Sequence, residues 1–477
     1  MIIRYLIIGW LAYFSPIMVS AQDSIVHESI AAVSIDQLYN IILENHPIVK
    51  QAELLDDAAR QEILYARGFF DPKIEMRYDA KEFKGSEYFN IWDNVLKVPV
   101  WFNTDLKVGY ERNNGQFLNE GLTTPDDGLI YAGVSLPLGQ GLFIDSRRAT
   151  LRQAQLMTGI ADAEVIKVIN KVLLKANKDY WNWYWSYNNF ELYTEALSLA
   201  QTRFKAIKSN VELGDYAPID SVEAKIIVQT RSIERRQAFV DFINAGLILS
   251  NHLWNDEGSP VVLSENAYPV APDSLWQYMG EDKLFALMDL ARENHPELIK
   301  LNLKQQQLAI ERRLNVENLK PVLNLNYNFL TEGTRSPLDR NGQFFSNDYK
   351  LGVEFSFPLF LRKERAKLQK TNIKILENNF DRLQTRREIV NEINTSFNEM
   401  QALFELMEEQ ARMVINYEDL LAAEVLNFQN GESSVFLINS RESKLIEARL
   451  KLMAFEVKYQ KAKAVLYWAA GAPNLEL

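Results

Sequence analysis

Between Pro358 and Gly431 the chain runs for 72 residues without a proline or a glycine. An ordinary globular helix has about 11–12 residues, so an uninterrupted helix here excludes most compact architectures. The apolar residues keep a three-to-four spacing: Ile393, Phe397, Met400, Phe404, Met407, Ala411, Val414, Leu421, Val425 and Phe428, with Glu418 the one interruption. Beyond Gly431 the register is strictly seven, through Ile438, Leu445, Leu452, Tyr459 and Leu466, with Ala448, Phe455, Ala462 and Ala469 in the adjoining row. A 3.5-residue seam makes helices supercoil left-handedly, because each must underwind to keep the seam on its partner. At ~1.5 Å per residue the first helix alone spans roughly 100 Å. Such an element is a strut or the wall of a tube.

The same plan occurs earlier in the chain. No proline falls between Pro137 and Pro218, and Gly214 answers Gly431. Glu44-Asn45-His46-Pro47 recurs as Glu293-Asn294-His295-Pro296, each time after a short amphipathic helix, one of them opened by an N-cap at Ser34. The next proline follows 25 residues later in both copies, at Pro72 and Pro321. Ungapped agreement over such a distance marks an internal duplication.

After Pro72 and Pro321 the period drops from 3.6 to 2. Ile74, Met76, Tyr78 and Ala80 alternate with charges, and Leu323, Leu325, Tyr327 and Phe329 alternate with Asn324, Asn326 and Asn328. Ile130, Ala132, Val134, Leu136 and Leu138 form a third such row, and Leu351, Val353, Phe355 and Phe357 a fourth. Each predicts a strand with one apolar and one polar face. A half-buried soluble sheet and a bilayer-spanning sheet both produce this alternation. The rows are close to the ~9–11 residues a tilted strand needs to cross a membrane, and the polar face suits a watery lumen. Residues 113–128 and 331–350 carry turn chemistry. A fifth alternating segment, 104–110, lies in the first copy. A chain that leaves and re-enters one side crosses an even number of times, so this middle segment is expected not to span.

The expected plan is a signal peptide over 1–21, a first repeat over 22–251, a linker over 252–280, a second repeat over 281–470 and a tail over 471–477. The first repeat holds strands near 73–83 and 129–138 and helices 145–213 and 219–251. The second holds strands near 322–330 and 351–359 and helices 361–430 and 434–470. Residues 1–21 combine Arg4, an apolar core from Tyr5 to Phe14 and Val19-Ser20-Ala21, the pattern of a secretory signal cut after Ala21. The mature protein is therefore expected to begin at unlipidated Gln22, since there is no cysteine to acylate. Intact-mass measurement checks this; retained leader or added acyl mass contradicts it.

The net charge of −11 argues against nucleic acid, which demands a basic footprint. Absence of cysteine excludes disulfides and zinc–thiolate sites. The histidines His27, His46, His252 and His295 lack metal-ligand spacing, and Gly139-Gln140-Gly141 lacks the lysine of a phosphate loop. Asp145-Ser146-Arg147-Arg148 reads as a helix cap with exposed charges. The cluster Tyr180, Trp181, Trp183, Tyr184, Trp185 and Tyr187 is either an aromatic substrate platform or packing at the waist of a tube; its spread round the helix favours packing. No catalytic constellation emerges, so no enzyme activity, cofactor or metal is expected.

Four strands cannot close a barrel, whose smallest examples have 8, and open edges are costly in hydrocarbon. The chain is therefore expected to oligomerise. Duplicated strand–helix–glycine turn–helix halves, the twin Glu-Asn-His-Pro segments, Leu213-Gly214-Asp215-Tyr216-Ala217-Pro218-Ile219-Asp220 and Asn430-Gly431-Glu432-Ser433-Ser434 resemble the TolC family of outer-membrane efflux proteins. The resemblance covers about residues 34–470. It implies an α+β membrane protein: a homotrimer whose antiparallel coiled-coil helices form an α-barrel continuous with a 12-stranded transmembrane β-barrel, four strands per chain. It also implies an exit duct for tripartite efflux or type I secretion, joined to an inner-membrane transporter by a periplasmic adaptor. The adaptor-docking turns would be Leu213, Gly214, Asp215 and Pro218, with Asn430, Gly431, Glu432 and Ser433. The family's acidic entrance positions fall on Leu437 and Ser440 after Gly431, and on Asp220 and Glu223 after Gly214. Lys444 shares the face of Leu437 and Ser440. The alternative is a non-conducting periplasmic coiled-coil tether, which explains the heptads but not the strands.

Overall fold

The computed structural model describes residues 32–472, apart from 265, 271–275, 277 and 333–347. The expected signal peptide, Gln22, most of the 331–350 loop and residues 473–477 of the tail lie outside the described residues. In the first repeat, β1 (Ala32–Val33), α1 (Ile35–Asn45) and α2 (Pro47–Arg67) precede β2 (Lys73–Phe83), β3 (Ser86–Val100), β4 (Thr104–Asn114) and β5 (Leu129–Pro137). The long helix α3 (Ser146–Leu213) and its return α4 (Pro218–Ser250) complete it. After β6 (Tyr268–Pro269), the second repeat runs α5 (Glu281–Asn294), α6 (Pro296–Glu317), β7 (Val322–Glu332), β8 (Tyr349–Ser356), α7 (Arg362–Gln429) and α8 (Val435–Ala469). Helices α3 and α7 are each 68 residues long, so the long helices of the two repeats match in length.

Helices α3, α4, α7 and α8 end within about one residue of 145–213, 219–251, 361–430 and 434–470, the differences falling where a cap lies outside the helix proper. Ser34 and Gln37 form a capping box at α1. The two Asn-His-Pro segments are structurally the same: His46 Nδ1 accepts the Ile48 N–H at 3.2 Å, and His295 Nδ1 accepts the Glu297 N–H at 3.2 Å. Each histidine caps the helix whose first residue is proline. A ring nitrogen that accepts here must be unprotonated. Burial lowers both pKa values, helped at His46 by His252 and Lys175 and opposed at His295 by Glu297. A folded-state pKa below the unfolded value gives stability that is complete above about pH 6.5 and lost as the pH falls below it. The melting temperature should therefore decline on acidification from about pH 7.5 to pH 5. The His46→Asn/His295→Asn variant keeps capping acceptors without titrating, and should flatten that decline. An unchanged slope would assign it to other groups.

Two corrections concern the strands. Six strands, not four per chain, form one antiparallel sheet in the order β2-β3-β4-β5-β7-β8. The number of strands is even, but through the addition of Ser86–Val100 rather than the loss of 104–110, which extends to Thr104–Asn114 as β4. The 351–359 strand is Tyr349–Ser356, because Pro358 has no N–H to continue the ladder.

The segment 252–280 is more than a linker. Leu253, Val261 and Ala267 are buried with Trp183, Tyr180, Trp181, Tyr184, Leu38, Ile42, Phe242 and Leu249 in one core, and β1 pairs with β6 in parallel. The aromatic cluster is therefore packing: Trp183 is 1% exposed and stacks on Phe242 with ring centroids 6.2 Å apart. A second core repeats the arrangement with Met279, Leu284, Leu287, Ile393, Phe397, Met400, Met407, Tyr459 and Leu466. Both cores sit at mid-length of the long helices. Towards the sheet, α3 packs on α2 and α6, with Leu151 and Ala154 against Ala66. Away from it, α3 packs on α4 and α8, with Leu192 and Ala196 against Ile446.

Candidate pore wall and helical tip

The ladder registers assign every side chain of the sheet to one of two faces. Across one face run Tyr78↔Trp92, Ile74↔Leu96, Leu96↔Val108, Val108↔Ala132, Val134↔Tyr327, Leu136↔Leu325, Leu325↔Val353 and Tyr327↔Leu351. This face unites the four apolar rows read from the sequence into one band, and much of it is exposed: Ile74 by 77%, Val353 by 64%. The other face carries Glu75, Arg77, Asp93, Lys97, Lys107, Glu111, Asn326, Asn328 and Lys350.

The polar face is concave. A 460 Å³ hollow is lined by residues of all six strands, and Lys350 of β8 reaches Glu111 of β4 at 3.9 Å across two intervening strands. Charges there are partnered: Lys97 pairs with Glu75, and the Tyr131 hydroxyl donates to Asp93 at 3.0 Å. Asn326 accepts from Ser135 at 2.6 Å and from Lys107 at 3.4 Å. Gly109 and Gly133 face the same side because a Cβ would overlap Tyr131 or Asn328. A sheet that is apolar outside, polar inside and curled has the surface pattern of a water-filled transmembrane barrel segment.

Aromatic residues mark both ends of the band. At the helix end, Phe70 stacks on Trp101 at 5.8 Å, with Phe102, Phe143 and Phe360 exposed. At the loop end, Phe83 and Phe117 flank Tyr88. Such girdles are what an interface between lipid and water selects. No helix among the described residues is long and apolar enough to cross a membrane.

The strand-to-helix joint departs from the sequence reading. Asp145 caps α3 as expected, accepting the Arg148 N–H at 2.7 Å, but its charges are not exposed. Arg148 is 4% and Asp145 6% exposed; Arg148 Nε lies 3.3 Å from the carboxylate, and Nη2 donates to the Gly141 and Leu142 carbonyls. Arg147 adds a 2.9 Å pair to Asp105 of β4.

At the far end of the helices the two glycine turns lie together. Gly214 and Gly431 both adopt left-handed φ, +87° and +80°. Each closes its helix by the same bonds, Asp215 N–H to Asn210 O and Glu432 N–H to Asn427 O. Tyr216 packs on Phe428 at 5.7 Å, above Ile207, Ala224 and Val435. Leu213, Gly214, Asp215, Pro218, Asn430, Gly431 and Glu432 are all exposed, and Ser433 donates to Glu424. On α8, Ile438 and Leu445 are buried while Leu437, Ser440 and Lys444 face outward, Lys444 paired with Glu447 at 2.8 Å. Asp220 and Glu223 are half-buried on α4. Sequence reasoning missed the interhelix ties beside them, Arg203 to Asn439 and Glu442 and Arg449 to Glu418; their wide separations gave no local signal. Among the described residues no carboxylate–histidine group could hold a metal.

Residues 287–472 match the family model described as outer membrane efflux protein. No curated protein matches the chain at a significant level. Among solved structures, the Campylobacter jejuni CmeC outer membrane channel is similar at TM-score 0.63 and 13% identity, over 92% of this chain and 85% of that one. The outer-membrane channel OprN is similar at 0.64 and 14%, over 92% and 90%. The open state of the Neisseria gonorrhoeae MtrE outer membrane channel is similar at 0.62 and 12%, over 92% and 89%. At these identities the likeness is one of fold.

Proposed function

We propose that this chain, whose residues 287–472 match the outer membrane efflux protein model, is a member of that family and the outer-membrane exit duct of a tripartite efflux or type I secretion system, working as a homotrimer. The observation that carries the reading is the sheet, apolar outside and polar inside, whose strands β5 and β8 each lead into a 68-residue helix. In this reading the protein resides in the outer membrane and extends into the periplasm, as the matching family model and the lipid-suited band support. In this reading the helices prolong the barrel as a tube, and the paired turns reach towards the adaptor and transporter.

Two features support a ring of chains. The outer strands β2 and β8 each have one unpaired edge, and in hydrocarbon every unpaired backbone group costs several kcal/mol. Heptad rows also lie open on the helices: Ile219, Val222, Ile226, Ile233, Val240 and Leu247 on α4, and Ile373, Leu376, Phe380 and Leu383 on α7 are all exposed. Such rows are seams awaiting a partner helix. The tether reading accounts for the seams but not for the lipid-suited band.

At the tip, Leu213–Pro218 and Asn430–Ser433 form the docking surface for the adaptor. Three copies of Leu437, with Ser440 and Lys444 behind it, line the entrance, and Asp220 and Glu223 stand beside it. A ring of leucines makes an apolar collar, which can gate by dewetting. Reconstitution into a planar bilayer tests the duct: discrete single-channel current is expected, and none from a verified oligomer would favour the tether. Leu437→Asn should raise the resting conductance severalfold, whereas Asp220→Asn/Glu223→Gln should mainly change ion selectivity. Unchanged resting current in an intact Leu437→Asn oligomer would remove the collar.

A further inference from the structure

The repeats do not contribute equally to the sheet. Aligning Pro72 with Pro321 matches β2 to β7 and β5 to β8, so the β3–β4 hairpin is an insertion in the first repeat. It is not a flap on the surface. The hairpin lies in the middle of the sheet, with unbroken pairing from Lys73↔Lys97 through Val108↔Ala132. Trp92, Leu96, Val98, Leu106 and Val108 continue the outer apolar band across it. Its polar side is bound into the concave face as well: Lys97 to Glu75 on one flank, Asp93 to Tyr131 on the other. Tyr131 lies over Gly109 of β4, where any larger residue would collide with it.

An insertion of two strands preserves the alternation of direction. β2 runs away from the helices and β8 runs back towards them, so the edges of adjacent copies meet antiparallel, as a transmembrane barrel requires. The apolar band runs out to both edges: the outward residues of β2 are Ile74, Met76 and Tyr78 and those of β8 are Leu351, Val353 and Phe355.

We infer that the β2 edge of one copy pairs with the β8 edge of the next, and that three copies close a barrel of eighteen strands. The inference rests on the trimeric ring proposed above but differs from the twelve-stranded closure expected from the sequence. With strands about 4.8 Å apart and tilted by about 40°, eighteen strands enclose a backbone diameter of about 36 Å, against about 24 Å for twelve. The barrel is then wider by half, and size selection falls to the helical entrance.

The chain has no cysteine, so introduced pairs report alone. Cysteines at Ile74, Met76 or Tyr78 combined with one at Leu351 or Val353 should give disulfide-linked trimers in outer-membrane preparations. Met76→Cys/Asn94→Cys, opposite each other in the β2–β3 ladder, should link within one chain. Electron cryomicroscopy of the oligomer in lipid nanodiscs should then count eighteen strands. A twelve-stranded wall with β2 beside β5 and the β3–β4 hairpin outside it, even with β2–β8 cross-links intact, overturns the wider barrel and leaves the duct. No β2–β8 link in any pairing, with the Met76–Asn94 link still formed, overturns the ring and the wider barrel together.

Discussion

Arginine at position 325 or 327 should prevent assembly in the outer membrane, while aspartate at the residue between them should not. Leu325 stands between Leu136 and Val353 on the apolar face, and Tyr327, the middle residue of β7, stands between Val134 and Leu351. A basic side chain near the bilayer midplane costs about 2–4 kcal/mol on the lipid side of a barrel. In a trimer that cost is incurred three times per substitution, which is comparable to the whole stability of many domains, about 5–15 kcal/mol. Asn326 instead faces Ser135 and Lys107 on the concave side. A carboxylate there meets water and an ammonium group, so Asn326→Asp should leave assembly intact and shift selectivity towards cations. The measurement is oligomer recovered from outer membranes, by native gel, for the three variants side by side. Equal loss in all three would mean that neither face touches lipid.

The parts of this architecture that repeat along the chain were legible before the structure. Helix length, the seven-residue rows, both glycine turns and the twin His-Pro caps are local patterns, and the rows at Ile438, Leu445, Tyr459 and Leu466 are buried as the register required. Four strands could be read because each keeps apolar and polar residues strictly apart. β3 could not. Its outward positions include Asn90 and Asn94 and its lumen positions Ile91 and Val95, so the period of two is lost. Asn94 tolerates its place because the Trp92 indole N–H donates to it at 2.9 Å, a compensation visible only after folding. The turn before it is hidden too: Lys84 and Gly85 both have positive φ, but lysine is not a residue that announces such a turn.

The tip is only half legible in the sequence. The turns themselves are specified by Gly214 and Gly431, but which helix faces lie against each other depends on contacts such as Ile207 with Val435, more than two hundred residues apart in the chain. The open heptad rows on α4 and α7 were equally present in the sequence. Their meaning required seeing that α3 packs on the other side of α4, and α6 on the other side of this stretch of α7, and that both leave those rows uncovered.

The largest single loss of stability from one side chain outside the membrane face is expected at Arg148. Its guanidinium is enclosed where the sheet meets α3, held by the Asp145 carboxylate and two carbonyls of the Gly141–Leu142 turn. Gly141 has φ +91° and abuts Asn103 in the β3–β4 turn, so the arginine joins the inserted hairpin, the last strand of the first repeat and the long helix. Arg148→Ala leaves a buried carboxylate without its cation and two carbonyls without donors. Breaking a buried pair in this way costs about 3–5 kcal/mol. Arg148→Lys should recover only part, since an ammonium group cannot present the flat fork that reaches carboxylate and carbonyls together. Most informative is Arg148→Met with Asp145→Asn, which keeps the helix cap and the bulk but removes both charges; it should be more stable than Arg148→Ala by well over 1 kcal/mol. Denaturant midpoints of the detergent-solubilised protein order the variants. If the neutral pair is as unstable as the alanine variant, the joint depends on the guanidinium's hydrogen bonds to the turn and not on charge compensation.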